Sequence, residues 1–413
     1  MVKAASVLAA TALLTAAAWA ETPETSSAPA AAPTLTLAAA LDLAARQNLD
    51  IAAARLRRPV AQAGVRVARQ VPNPGLSVSA ARDTPHESVV IDQPLEIGGR
   101  RGRRIEMARQ EAALTDLEIA ALERRVRREV REAFYGLIAA RDATAQRDGA
   151  LALARRLREI AKARFDAGDV PQLEVFEAEM EMARAEAELA VQQQEEKVAL
   201  SRLDALLAAP AGAGWRIVGS LEDAPSALTM DELVSRAAQS NSDLERLAQE
   251  IRVEESQRTL FRAERIPDLT VEFGSDFNAP GDFHAGARGG FSLEIPLFSR
   301  KQGELARSSA TLAALDAESD ATRRAVAARV EAAYGEWSVR RTEAELYRSS
   351  LVPAARRLEG LAEESYREGK ANLLTVLDAQ RNVRQVEREY RESLVGLQAA
   401  FAGLEEAVGV ALD

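Results

Sequence analysis

The side chains that could do chemistry are few in this chain, and their scarcity is informative. There is no cysteine, which excludes thiolate metal sites, iron–sulfur clusters, disulfides, a cysteine nucleophile and a lipobox lipid anchor. The two histidines, His86 and His284, sit next to acids: Glu87 adjoins His86, and Asp282 lies two residues before His284. Imidazoles beside carboxylates are metal-ligand chemistry, so both are candidate metal contacts, although polar residues in loops are the default. The phosphate-binding, nucleophile-elbow and zinc-protease motifs G-x-x-x-x-G-K-[ST], G-x-S-x-G and H-E-x-x-H are all absent, which argues against an enzyme. The remaining concentration of charge is Gln93-Pro94-Leu95-Glu96-Ile97-Gly98-Gly99-Arg100-Arg101-Gly102-Arg103-Arg104. Its two glycines permit a sharp change of direction. Arg100, Arg101, Arg103 and Arg104 then crowd a helix start, where cations oppose the dipole and need compensating partners. The expected role is a salt-bridge belt between subunits at a membrane boundary. A nucleic-acid role is excluded by the export signal described below and the net charge of −10.

The elements that position these groups follow from composition and repetition. Aromatic residues make up only 4% of the chain while Ala, Glu, Arg and Leu dominate, the profile of long helices. Residues 1–20 read as a signal peptide: Lys3, a short apolar run, and Ala18-Trp19-Ala20 before Glu21, with cleavage between Ala20 and Glu21. A Pro/Ser/Ala leader occupies 21–34, and no later segment has the length of an apolar membrane helix.

Beyond the leader the chain repeats itself. Leu35-Thr36-Leu37 and Gln47-Asn48-Leu49-Asp50 return as Leu228-Thr229-Met230 and Ser240-Asn241-Ser242-Asp243. Val71-Pro72-Asn73-Pro74 echoes in Ile266-Pro267-Asp268, Gln93-Pro94-Leu95 in Ile295-Pro296-Leu297, Tyr135-Gly136 in Tyr334-Gly335, and Phe165-x-x-Gly168 in Tyr366-x-x-Gly369. The chain therefore divides into a first repeat at 35–207, a linker at 208–227, a second repeat at 228–408 and a tail at 409–413. A period this long marks a duplicated half-structure.

Each repeat carries the same plan. A helical segment (Leu37 to Gln70; Thr229 to Arg265) ends at proline. Two amphipathic strands follow, at about 75–82 and 88–95 in the first copy and 268–277 and 285–295 in the second. Next comes a very long helix (about Arg103 to Phe165; Glu304 to Tyr366), broken by no proline except Pro353. Ile105, Ala108, Ala112, Thr115, Ile119, Leu122 and Val126 form a heptad seam, and a four-residue step to Val130 favours nearly straight helices. After Gly168 and Gly369 a return helix runs antiparallel (Leu173 to Leu207; Leu373 to Val408), with Leu173, Phe176, Met180, Ala183, Ala187 and Ala190 as its seam. Four strands of this length suit an outer membrane but cannot close a barrel, so strands in a membrane must be pooled between chains. The alternative for the same pattern is a soluble sheet on a periplasmic coiled-coil adaptor or structural rod.

The signal peptide, the duplicated helix–strand–strand–long helix–return helix plan and the F/Y-x-x-G turns resemble the TolC-like outer membrane efflux proteins. The stretch Gln93 to Arg104 is similar to the segment after the second strand in the CzcC-like heavy-metal branch. The resemblance implies a mainly α-helical fold with a small membrane β-barrel part, in a homotrimer whose 12-stranded barrel continues into a long α-helical barrel. It implies a passive outer-membrane channel of a tripartite system, with a periplasmic membrane-fusion adaptor, an inner-membrane resistance-nodulation-division pump and outer-membrane lipid as partners. No cofactor is implied. Heavy-metal cations are the expected cargo, with drugs or secreted polypeptides as the alternative. The turn residues Asp166, Gly168 and Asp169, and Arg367, Gly369 and Lys370, become adaptor-contact tips. Asp378 matches an aperture aspartate of the family, Thr375 stands where a second one would be, and Glu174 and Glu177 hold the duplicated positions; three chains would turn each carboxylate into a ring.

Overall fold

The computed structural model describes residues 34–82, 87–210, 212–223, 229–277 and 285–412. A two-residue strand β1 (Thr34–Leu35) opens the first repeat. Helices α1 (Leu37–Gln47), α2 (Leu49–Arg55) and α3 (Arg57–Ala68) follow, then strands β2 (Gly75–Ala80) and β3 (Glu87–Leu95), and helices α4 (Arg100–Asp166) and α5 (Gln172–Leu206). The linker carries β4 (Arg216–Ile217), and the second repeat comprises α6 (Met230–Ser240), α7 (Ser242–Ala263), β5 (Asp268–Phe277), β6 (Ala285–Glu294), α8 (Gln302–Leu346), α9 (Val352–Arg367) and α10 (Leu373–Val408). β1 pairs with β4 in parallel, which stitches the start of the first repeat to the linker between repeats.

The opening helical segment of each repeat is not one helix. Asn48 and Asn241 break it, because each side chain caps the next helix. Asn48 Oδ1 accepts from Asp50 and Ile51 N–H at 3.0 and 3.1 Å; Asn241 Oδ1 accepts from Asp243 and Leu244 at 3.0 and 3.4 Å. Each amide also donates to the end of its own repeat's return helix, Asn48 to Leu206 O at 2.9 Å and Asn241 to Ala407 O at 3.0 Å. The duplicated Asn-x-Asp signature is thus a clasp between helices.

At 67 residues α4 extends about 100 Å. Its counterpart is interrupted by a π-helical turn, Tyr347–Leu351, between α8 and α9. Pro353 explains it: proline lacks an N–H and its ring crowds the preceding turn, so the helix widens there. The heptad positions of α4 face inward, and Val126, Val130, Phe134 and Leu137 join Leu203, Leu207, Trp337, Phe401 and Leu404 in the main core, capped by α1, α2 and α6. A second cluster, Leu157, Ala161, Ala178, Tyr366, Leu373, Val376 and Leu377, closes the far end.

The seam of α5 is not covered by its own chain. Ala178 and Ala185 are buried, whereas Leu173, Phe176, Met180, Ala183, Ala187 and Ala190 all face solvent. The helix has apolar residues on two faces, and only one of them meets its own chain.

The four longer strands form one antiparallel sheet in the order β2-β3-β5-β6, so β3 and β5 join the two repeats. Directly opposed residues share a face. The rows Leu76–Ile91–Phe273 and Leu269–Leu293 therefore belong to one apolar face, and Ser79–Ser88–Asp276 and Asp92–Glu272 to a polar one. Phe273 and Phe291 on the apolar face are 66% and 78% exposed. Among the described residues no helix is long and apolar enough to cross a membrane.

Candidate functional site: collar and helix tips

Where strand becomes helix, Gly98 and Gly99 both hold positive φ, +73° and +76°. A Cβ on Gly98 would lie 2.4 Å from Ile266 Cδ1, so the chain turns there against the second repeat. Of the four arginines that follow, Arg100, Arg101 and Arg104 find partners within the chain. Arg100 is ion-paired with Asp268 and donates to Glu264 O and Ile266 O, both at 3.0 Å. Arg101 donates twice to Arg69 O, at 2.9 and 2.7 Å. Arg104 donates to Ala68 O and Gln70 O at 3.1 and 3.0 Å and is paired with Glu96. Arg103 is exposed. These carbonyls lie at the carboxy ends of α3 and α7, where a cation is favoured by the dipole and satisfies orphan acceptors. The cost of placing them at the start of α4 is thus offset by two other helices. In the second repeat Lys301 plays the same part. It caps α8 with φ +57° and pairs with Glu264 at 3.1 Å, a hydrogen-bonded contact that raises its pKa.

At the other end, both helix turns are closed by glycine. Gly168 has φ +83° and Asp169 N–H bonds back to Arg164 O at 2.9 Å; Gly369 has φ +73° and Lys370 N–H bonds to Ser365 O at 2.8 Å. This six-to-one closure leaves Asp166, Gly168, Asp169, Arg367, Gly369 and Lys370 exposed at the tips. Lys370 pairs with Glu368 and Arg367 with Glu363.

The aperture residues separate into two kinds. Asp378 is exposed and pairs with Arg381 at 3.1 Å, and Glu177 is exposed. Thr375 is held by the cap of α10: Asn372 Oδ1 accepts from its N–H at 3.0 Å and its hydroxyl at 2.8 Å. Glu174, by contrast, is turned into the chain. It accepts the Tyr366 hydroxyl at 2.7 Å and lies 3.8 Å from Arg164, whose guanidinium stacks 5.0 Å above the Tyr366 ring. Burial and then the Glu174 carboxylate push the Tyr366 hydroxyl up to about 12, so it remains a donor. A second bridge between the repeats joins Arg384 to the buried Glu181 at 2.9 Å. Neither Tyr366 nor Glu181 is marked as a bridge by the sequence pattern. The one available signal was the change from Phe165 to Tyr366 in the duplicated motif, which adds a hydroxyl at a buried position.

His86 and His284 lie outside the described residues, as do Ala20 and Glu21. Among the described residues no group of three or more histidine, aspartate or glutamate side chains is placed to hold a metal ion.

Comparison with known proteins converges on one family. The model of the outer membrane efflux protein family matches residues 40–209 and 233–410, which are the two repeats. The chain is 29% identical over 388 residues to the cobalt-zinc-cadmium resistance protein CzcC of Cupriavidus metallidurans, covering 92% of this chain and 91% of that one. It shares its fold with CusC (TM-score 0.74, 15% identity, 91% and 92% of the two chains). It does so equally with the outer membrane protein VceC of Vibrio cholerae (TM-score 0.72, 16% identity, 91% and 97%). A duplicated chain with an amphipathic four-stranded sheet at one end of long helices, matched by the family model in both halves, belongs to the outer membrane efflux proteins: an outer-membrane transport protein, not an enzyme.

Proposed function

We propose that this protein is the outer-membrane channel of a tripartite heavy-metal efflux system. Three copies pool their sheets into one 12-stranded barrel, and their long helices form a tube across the periplasm. The observation that carries the assembly is the sheet itself: one apolar face, one polar face and two free edges among the described residues, a state that lipid does not tolerate until the edges are paired. The solvent-facing stripe Leu173-Phe176-Met180 on α5 supports contact between helices of neighbouring copies. Heavy-metal cations as cargo are supported by the similarity to CzcC over nearly the whole chain. The channel is passive, energy comes from a resistance-nodulation-division pump, and the exposed tips meet a periplasmic adaptor. An acidic aperture would draw on Glu177 and Asp378 rather than on Glu174.

The test is growth of a clean deletion strain, with complementation, across zinc, cobalt, cadmium, nickel, copper and silver beside a panel of hydrophobic drugs. Restored tolerance to a group of metals alone is expected. Sensitivity confined to drugs would replace the cargo and leave the tube.

A further inference from the structure

Four helix ends meet the sheet, those of α3 and α7 arriving and those of α4 and α8 leaving, and the charge there is opposite in sign to that of the whole chain. The stretches 61–72, 96–107, 257–268 and 298–309 carry twelve basic residues and five acidic ones, in a chain whose net charge is −10. All five carboxylates are ion-paired inside the chain: Glu96 with Arg104, Glu106 with Arg109, Asp268 with Arg100, and Glu264 and Glu304 with Lys301. Six exposed arginines have no such partner. The guanidinium groups of Arg66, Arg69, Arg103, Arg262, Arg265 and Arg307 meet neither a carboxylate nor a hydrogen-bond acceptor among the described residues.

The helix dipole accounts for some of this surplus. Carboxy ends favour cations, which suits Arg66 and Arg69 at the end of α3 and Arg262 and Arg265 at the end of α7. Arg103 and Arg307 lie in the opening turns of α4 and α8, where that field is unfavourable or spent. Nor can another copy neutralise the excess, since it brings the same twelve and five to the same level with its carboxylates already paired. The nearest acids of the sheet, Asp92, Glu272 and Glu294, stand on its polar face, which a barrel turns inward. The counter-charge therefore comes from outside the protein.

Beside these cations the chain is bare and apolar. After the duplicated Pro-Leu pair the first repeat has Glu96, which is ion-paired, whereas the second has Phe298, which is 92% exposed. Ile295 and Leu297 are exposed as well and extend the row of Phe291 and Leu293 towards Arg300 and Lys301. A bare aromatic between an apolar sheet and unpaired cations is the pattern of a protein seated in a lipid surface.

Resting on the barrel reading above, we propose that this collar binds the anionic headgroups of phospholipids in the periplasmic leaflet of the outer membrane, with Phe298 seated where headgroup meets acyl chain. Phosphate oxygens accept from guanidinium forks in pairs, and six such forks per copy make a band rather than a pocket. The band fixes how deep the sheet sits and favours phospholipid of net negative charge over zwitterionic phospholipid.

The test places tryptophan probes in the purified protein, reconstituted with phosphatidylcholine or phosphatidylglycerol brominated near the glycerol end of the acyl chains. Phe298→Trp reports the collar and Phe291→Trp the apolar face of the sheet; the unsubstituted chain, whose Trp215 and Trp337 belong to the main core, is the blank. Bromine should quench both probes, and at Phe298→Trp phosphatidylglycerol should be preferred by about fivefold or more, the factor expected of one arginine beside a charged surface. Arg103→Gln, Arg265→Gln and Arg307→Gln together should erase that preference and leave quenching of Phe291→Trp unchanged. Equal quenching of Phe298→Trp by the two lipids, a preference that survives the three substitutions, or a Phe298→Trp probe that bromine never reaches would overturn the collar and leave the barrel. Failure of bromine to reach Phe291→Trp would instead overturn the barrel reading, and the collar with it.

Discussion

Tyr366 donates its hydroxyl hydrogen to Glu174 Oε1 at 2.7 Å, tying the last turn of α9 to the first turn of α5 across 192 residues of sequence. Tyr366 is almost fully buried and Glu174 nearly so. A hydrogen bond to a charged acceptor in that setting contributes about 2 kcal/mol, and its loss leaves the carboxylate dependent on Arg164 at 3.8 Å. Tyr366→Phe should therefore lower stability by roughly that amount, read by denaturant unfolding. In single-channel recordings it should raise open probability, because the tie lies at the tip. Unchanged values in both assays would reduce the contact to packing.

The asparagine clasps should act as equals in the two repeats. Asn48→Ala and Asn241→Ala each remove a helix cap and strand the carbonyl of Leu206 or Ala407, for about 1–3 kcal/mol. Thermal melting of the purified protein checks this, and a difference of several-fold between the two variants would show that the duplicated motif is not used alike.

Two adjacent glycines should respond differently. Gly99→Ala meets nothing within 4 Å and bears only the left-handed penalty of about 1 kcal/mol. Gly98→Ala bears that penalty and drives a methyl against Ile266. The yield of heat-labile trimers in outer-membrane fractions should fall more for Gly98→Ala, and Ile266→Ala added to it should restore part of the loss.

Glu359 on α9 has its carboxyl pKa raised, first by burial and then by Glu387 and Glu363. A raised pKa means that the folded state favours the protonated carboxyl, so this contribution is complete in acid and is lost as pH rises through the folded value. Glu359→Gln should stabilise the protein at neutral and alkaline pH, with the gain vanishing below about pH 4. Melting temperature measured from pH 4 to 8 tests the sign.

Asp378→Ala removes an exposed carboxylate and frees Arg381 from its 3.1 Å partner. If Asp378 lines the pore, both changes disfavour cations, and reversal potentials in a salt gradient should shift towards anions. Unaltered selectivity would place Asp378 on an ordinary solvated face.

Much of the architecture is written locally. Proline before each hairpin, alternation within each strand, glycine after each long helix and the duplicated order of these signals need only neighbours a few residues away. Pro353 likewise marks the place where the second long helix widens, while the proline-free α4 runs unbroken. The asparagines at 48 and 241 were visible as repeats, yet their splitting of the first helical segment depends on side-chain oxygens competing for backbone donors.

What the tertiary structure decided is which partner each charged or apolar group meets. The arginine run looked mismatched with the start of α4 because Arg69 is 32 residues away and Asp268 is 168 away; folding brings two helix ends to it. Glu174 resembled a free aperture carboxylate until Tyr366 arrived from the other repeat. The apolar stripe on α5 was legible as a seam, but spacing reports that a helix has an apolar face and not what covers it. By itself the sequence determined the elements, their order and their duplication, because backbone preference and hydrophobic period are short-range. Only the fold decided the pairings, because contacts between residues nearly two hundred positions apart depend on how the two repeats pack against each other.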